Sequence, residues 1–193
     1  EIKGVNDLKG LKIRSFTPSM SAMLEYFGAT PVTLGFSEVY PALQKGVVSC
    51  GVTSPTSANT GKWMEVTTHF MPLSVSGAVQ GHFMNLDSWN KLSSSEQAKL
   101  EKGFKKLEND LWDLANTVND DAMRCIAGEE PCKKHTKYNL KRVALSDSDT
   151  AKVKEAALKV VLPTWKKTCN NVDKNCTDTW NKTVGKVAGM TIK

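Results

Sequence analysis

The chain has 193 residues, 40% of them hydrophobic and 24% charged, a balance that excludes bulk disorder and allows one large or two small domains around a buried core. No window reaches the roughly 18 uninterrupted apolar residues of a membrane-spanning helix. The net charge of +6 is uneven, with seven Lys/Arg against six Asp/Glu in 1–92 and nineteen against fourteen in 93–193. With no basic stripe interleaved with aromatics, that excess reads as a solvated surface and not as a nucleic-acid face.

VNDLKG is a surface lead-in, and Leu11 to Arg14 form the first expected strand. Arg14 ends that strand, at the edge where open α/β sheets place ligands. A helix should follow from Pro18, with Met20, Met23, Leu24 and Phe27 on one face and Gly28 as its cap. PVTL is the second strand. The next helix carries Ser37 as N-cap, Val39, Tyr40 and Leu43 as its buried face, Pro41 near the first turn and Gly46 at its end. KGVVSCG is the third strand, and VTSPTSANTGKW opens another helix. The expected order is strand, helix, strand, helix, strand. Phe36, at the carboxyl edge of its strand, either staples the helix or presents a ring to the cleft. On residue chemistry alone, Arg14 has a competing role as a surface ion pair with Asp7 or Glu38.

LKIR, then GATPV, then FSEVYPALQKGVV and the Gly51 to Pro55 tail resemble, in order and spacing, a run of TRAP-transporter solute-binding proteins of the DctP type. The resemblance covers residues 1–70 closely and the helical remainder more loosely. It implies an α/β, periplasmic-binding-protein-like fold with a βαβαβ lobe, crossover strands and a long lobe-spanning helix. It divides the chain into a second-lobe unit at 1–70, crossover strands of the first lobe at 71–92, a connecting helix at 93–127 and carboxy-terminal helices at 128–193. The chain would then be a carboxy-terminal portion lacking much of the first lobe. The implied ligand is a small organic acid, held by Arg14 through a bidentate contact, since a guanidinium fork matches two carboxylate oxygens. Phe36 would pack on the ligand body, and Ser54 and Gln80 would add hydrogen bonds. Ser54 stands where the family pattern has Asn, which changes the donors on offer. Trp63 is either core or a wall of the site. The implied partners are the TRAP membrane permease subunits and the implied location is the periplasm; neither a cofactor nor a metal is called for.

HFMPLSVSGAVQGHFMNLDSWNKL reads as the crossover strands, with Gly77 and Gly81 permitting close approach. From Ser93 the period becomes helical, with Glu96 completing a capping box and Leu100, Phe104, Leu107, Leu111, Leu114, Val118 and Ala122 at spacings of three or four. YNLKRVAL is a short strand candidate. Ser148 or Asp149 should cap a further helix that Pro163 bends or ends, and TDTWNKTVGKV should form a last short helix.

Six residues separate Cys125 from Cys132, and six separate Cys169 from Cys176. Two local loop-closing disulfides and an oxidising compartment are the favoured reading, although four cysteines permit three pairings. The rival is a metal site at Cys132 and His135, which lacks a second His at ligand spacing. Cys50 is the odd one out, a small residue on a buried strand. A hydrolase would need a nucleophile, a base and an orienting group, and Ser19, Ser37 and Cys50 show no G-x-S-x-G elbow or paired His. An interaction or scaffold domain built on the long helix is the other alternative.

Overall fold

The computed structural model describes residues 2–76 and 81–192. Its organising element is a three-stranded parallel sheet in which β1 (Lys12–Ser15) lies between β2 (Thr30–Thr33) and β3 (Cys50–Gly51). Parallel neighbours need crossover connections, and α1 (Pro18–Tyr26) and α2 (Phe36–Gln44) supply them. The expected βαβαβ order is therefore present, with Arg14 beside Val32 on one flank and Gly51 on the other.

Local chemistry sets the helix ends. The Thr17 hydroxyl accepts the Met20 N–H at 3.2 Å, Pro18 opens α1 where its missing N–H does no harm, and Met20, Met23 and Leu24 are buried. Gly28, at φ +77°, turns the chain out of that helix. The start of α2 differs from expectation, because Gly35 and not Ser37 is its N-cap. Glu38 donates its own N–H to the Gly35 carbonyl at 3.0 Å, and its carboxylate accepts the Gly35 N–H at 2.7 Å. That reciprocal pair outbids a serine hydroxyl, and it leaves Pro41 inside the helix rather than in its first turn.

Two apolar clusters pin these elements together. One joins Val39, Leu43, Val48, Trp63, Met64 and Ile126, so it unites α2, the turn before β3, the stretch at Trp63 and the end of the long helix. The other gathers Val5, Leu8, Ile13, Met20 and Leu24 against α1. After α3 (Pro55–Thr60) and a 3₁₀ turn at Trp63–Glu65, the two-residue strand β4 (His69–Phe70) pairs in parallel with β5 (Lys141–Arg142). The remaining crossover strands expected in 71–92 are not formed among the described residues. Residues 71–76 and 81–85 have no regular structure, and Leu86–Asn90 is a short helix, α4, capped by Asn85. A strand exists only against a neighbour that completes its hydrogen bonds, and among the described residues no strand lies alongside. Gly77 lies outside the described residues.

The long helix α5 (Ser94–Ala127) has 34 residues, about 51 Å at 1.5 Å per residue. It starts in the expected capping box of Ser93 and Glu96 and stops at Gly128 in the left-handed conformation. Only its last turns enter the core, through Asp121, Ala122, Cys125 and Ile126; Leu100, Phe104, Leu107 and Leu111 form a stripe that stays exposed. The helix α6 (Asp147–Ala156) is capped by Ser146 and not by Ser148 or Asp149. Asp149 instead sits three residues in, accepting from Ser146 and from the distant Val5 N–H, which ties the first turn of the chain to this helix. A π-helical turn at Ala157–Val161 precedes Pro163, so the helix bends and continues as α7 (Leu162–Asn170). The expected last helix is split into α8 (Cys176–Lys182) and α9 (Val184–Ala188).

Candidate ligand-binding site

Arg14 sits at the carboxyl end of the central strand with 4% of its surface exposed. Its Nε donates to the Leu34 carbonyl at 3.2 Å and its Nη1 to the Val52 carbonyl at 2.9 Å. Those carbonyls lie just past the ends of β2 and β3, so the two flanking strands hold the guanidinium between them. The fork has five N–H donors, and these bonds use two. The charge lies over the ring of Phe16, 4.7 Å from its centroid, and 5.7 Å from that of Trp63.

No carboxylate among the described residues reaches ion-pair distance of Arg14. The two candidates raised by the sequence are engaged elsewhere: Asp7 accepts the Lys3 N–H at 2.7 Å, and Glu38 caps α2. Burial pushes the guanidinium pKa down from its ordinary value, but a guanidinium does not give up its proton in a protein, so the group stays charged. A buried cation with carbonyl and ring contacts but no counter-ion is an electrostatic deficit that an anion would fill.

Phe36 and Trp63 complete the cluster. Their rings stack with centroids 5.4 Å apart and planes 28° apart. Trp63 is 3% exposed and lies against Gly51, where a Cβ would come within 2.8 Å of its Cζ3. Phe36 is 45% exposed and rests on Gly61, where a Cβ would meet Cζ at 2.7 Å. The buried Trp63 ring therefore requires a glycine at 51, whereas at 61 the nearest atom is the tip of an exposed ring. The structure thus gathers Arg14, Phe36 and Trp63. The Ser54 hydroxyl accepts the Ser57 N–H at 3.1 Å and donates to the Ser57 hydroxyl at 2.9 Å, capping α3. Gln80 lies outside the described residues.

Sequence reasoning missed Phe16, which is half exposed beside the guanidinium. Phe16 lies two positions beyond Arg14 but one past the end of β1, at a bend, so no strand periodicity pointed to it. A cavity of about 60 Å³ lies away from this cluster, between the start of α1 and Val75, Ser76 and Val161.

Behind the site, α3 is tied to the segment after the first disulfide. Asn59, buried, donates to the Thr136 carbonyl at 2.7 Å and accepts the Thr136 N–H at 3.1 Å. Next to it, Asp121 accepts from the Lys133 and Lys134 N–H groups and from His135 Nδ1, all at 2.8–2.9 Å. Those bonds, His135 foremost, hold its carboxyl pKa down at about 2. Both expected disulfides are formed, Cys125–Cys132 and Cys169–Cys176, with Cys50 left as the free thiol among the described residues. The Cys132 sulfur is bonded to Cys125 and offers no thiolate to a metal, so the pairing with His135 raised by the sequence does not form.

Comparison with known proteins adds a family. The model of the DctP family, described as bacterial extracellular solute-binding protein, family 7, matches residues 1–168. The C4-dicarboxylate-binding periplasmic protein DctP of Rhodobacter capsulatus is 29% identical over 122 residues, 63% of this chain and 37% of that protein. The sialic acid-binding periplasmic protein SiaP of Vibrio cholerae is 29% identical over 116 residues, 55% of this chain and 33% of that protein. Among solved structures, a TRAP periplasmic solute-binding protein of Shewanella oneidensis with bound succinate superposes with a TM-score of 0.68 at 19% identity, over 90% of this chain and 53% of that one. One from Roseobacter denitrificans with bound β-D-glucuronate gives 0.68 at 17%, over 90% and 54%. The chain thus shares the periplasmic-binding-protein-like fold, and its matches span about a third of the curated relatives' length.

Proposed function

We propose that this chain, which belongs to the DctP family of bacterial extracellular solute-binding proteins, captures a small organic acid by holding its carboxylate on Arg14. The single observation that carries the reading is a buried guanidinium fixed by two backbone carbonyls, with no carboxylate partner among the described residues. Two unlike anions, succinate and β-D-glucuronate, occupy relatives of the same fold, and a carboxylate is what they share. Phe36 packs on the body of the acid. Ser54 and Gln80 supply polar contacts around it.

The site is one wall of a cleft. The exposed stripe of α5 and residues 81–92 face a further lobe, which closes over the ligand, expels water and so strengthens the Arg14 contact. The role is capture and delivery, without turnover, to the membrane subunits of a TRAP permease driven by an ion gradient. The two disulfides fit an oxidising periplasm.

Melting the chain with millimolar succinate or glucuronate, against the corresponding uncharged amides, tests the reading. The acids should raise the melting temperature by mass action and the amides should not. If no acid shifts it, or if acid and amide shift it equally, the carboxylate site is wrong.

A further inference from the structure

The wall around Arg14 is unusual in what accompanies the charge. Phe16 and Phe36 each leave close to half of their surface open, on a segment and a helix start that meet at the guanidinium and the Trp63 ring. The hydroxyls of Ser54 and Ser57, at the start of α3, are hydrogen-bonded to one another. A carboxylate that seats bidentately on a guanidinium lies in the plane of the fork. The atoms attached to it then continue past the rings. An acid rich in hydroxyls would bring donors and acceptors to faces that cannot pair them, whereas a flat apolar body would stack on them.

We infer that the preferred ligand is an aryl carboxylate, its acid group on Arg14 and its ring against the open faces of Phe16 and Phe36. This rests on the carboxylate reading of Arg14 and deepens it. Phe16 is then the residue that sets specificity: it covers one side of the guanidinium and offers the rest of its face to the ligand. Trp63, buried beneath Phe36, keeps that second ring in place.

Calorimetry on the full chain with benzoate, succinate and glucuronate decides between the outcomes. Benzoate should bind at least tenfold more tightly than either of the others. Phe16→Leu, which keeps an apolar side chain but removes the ring face, should bring the benzoate-to-succinate preference down at least fivefold, with an unchanged circular dichroism spectrum confirming the fold. Succinate or glucuronate binding in an Arg14-dependent way while benzoate does not would overturn the aryl assignment and leave the carboxylate site standing. A benzoate preference that survives Phe16→Leu overturns the role given to Phe16. Binding of none of the three overturns both this inference and the reading beneath it.

Discussion

Adding one methyl group at Gly51 tests how tightly the back of the site is built. Gly51 pairs with Arg14 across the sheet, and the Trp63 ring lies on it so closely that a Cβ would stand 2.8, 3.3 and 3.4 Å from three of its carbons. Trp63 is 3% exposed and walled in by the core, so the ring cannot swing away. Overpacking of this kind costs about 1–3 kcal/mol. At about 2–4 °C per kcal/mol for a chain of this size, Gly51→Ala should lower the melting temperature by roughly 2 to 12 °C. Gly61→Ala presses on the Phe36 ring at 2.7 Å, which is exposed and can give way, but also on the Ser57 carbonyl at 3.0 Å and the buried Trp63 Nε1 at 3.1 Å, and should cost about 1–3 kcal/mol. Gly103, inside α5 with nothing near its would-be Cβ, is the control: Ala there should stabilise by up to about 1 kcal/mol. Thermal melts of the three variants give the order directly. Gly51→Ala as stable as the parent, beside a Gly103→Ala that does gain, would refute the packing described for Trp63.

Acid should act through Asp121. Its pKa is held at about 2 in the fold against 3.8 ordinarily, so its stabilising contribution is complete above about 3.8 and disappears as the pH falls towards 2. Melts between pH 5 and pH 2 should show the parent losing stability that Asp121→Asn already lacks at pH 5; parallel curves would remove Asp121 from the account. The disulfides should leave a single titratable thiol, Cys50, when the chain is denatured without reductant, and five thiols would contradict the bridged fold. Replacing Cys125 and Cys132 by Ser opens a loop with a sequence separation of 7 and should cost about 2 kcal/mol in a urea melt.

The parts of the fold that were legible from sequence are those fixed by neighbouring residues. Pro18 after Thr17, the Ser93 and Glu96 pair, and glycines just past apolar faces each mark a helix end by local hydrogen bonding or backbone freedom. The spacing of the cysteines likewise foretold both bridges. What failed depended on distant chain or on competition between caps. Glu38 reaching back to Gly35 displaced Ser37, and Asp149 acquired a partner in Val5, 144 positions away. The crossover strands had the composition of strands, but pairing is not a property of one segment. For the site, the resemblance to a family pointed to Arg14, Phe36 and Trp63 as residues to watch. The contacts of Arg14 with two loop carbonyls could not be read, because they arise only once three strands lie side by side. Phe16 stands one residue past the end of β1, at a bend, where the alternation of a strand no longer applies.

The most direct test is the affinity of succinate for the Arg14→Lys variant by calorimetry, since Lys keeps the charge but cannot hold two backbone carbonyls and a carboxylate with one planar fork. Loss of a charge-assisted bond is worth about 1.5–3 kcal/mol, so binding should weaken by roughly 10- to 100-fold at an unchanged fold. Equal affinity for parent and variant would show that the carboxylate does not rest on Arg14.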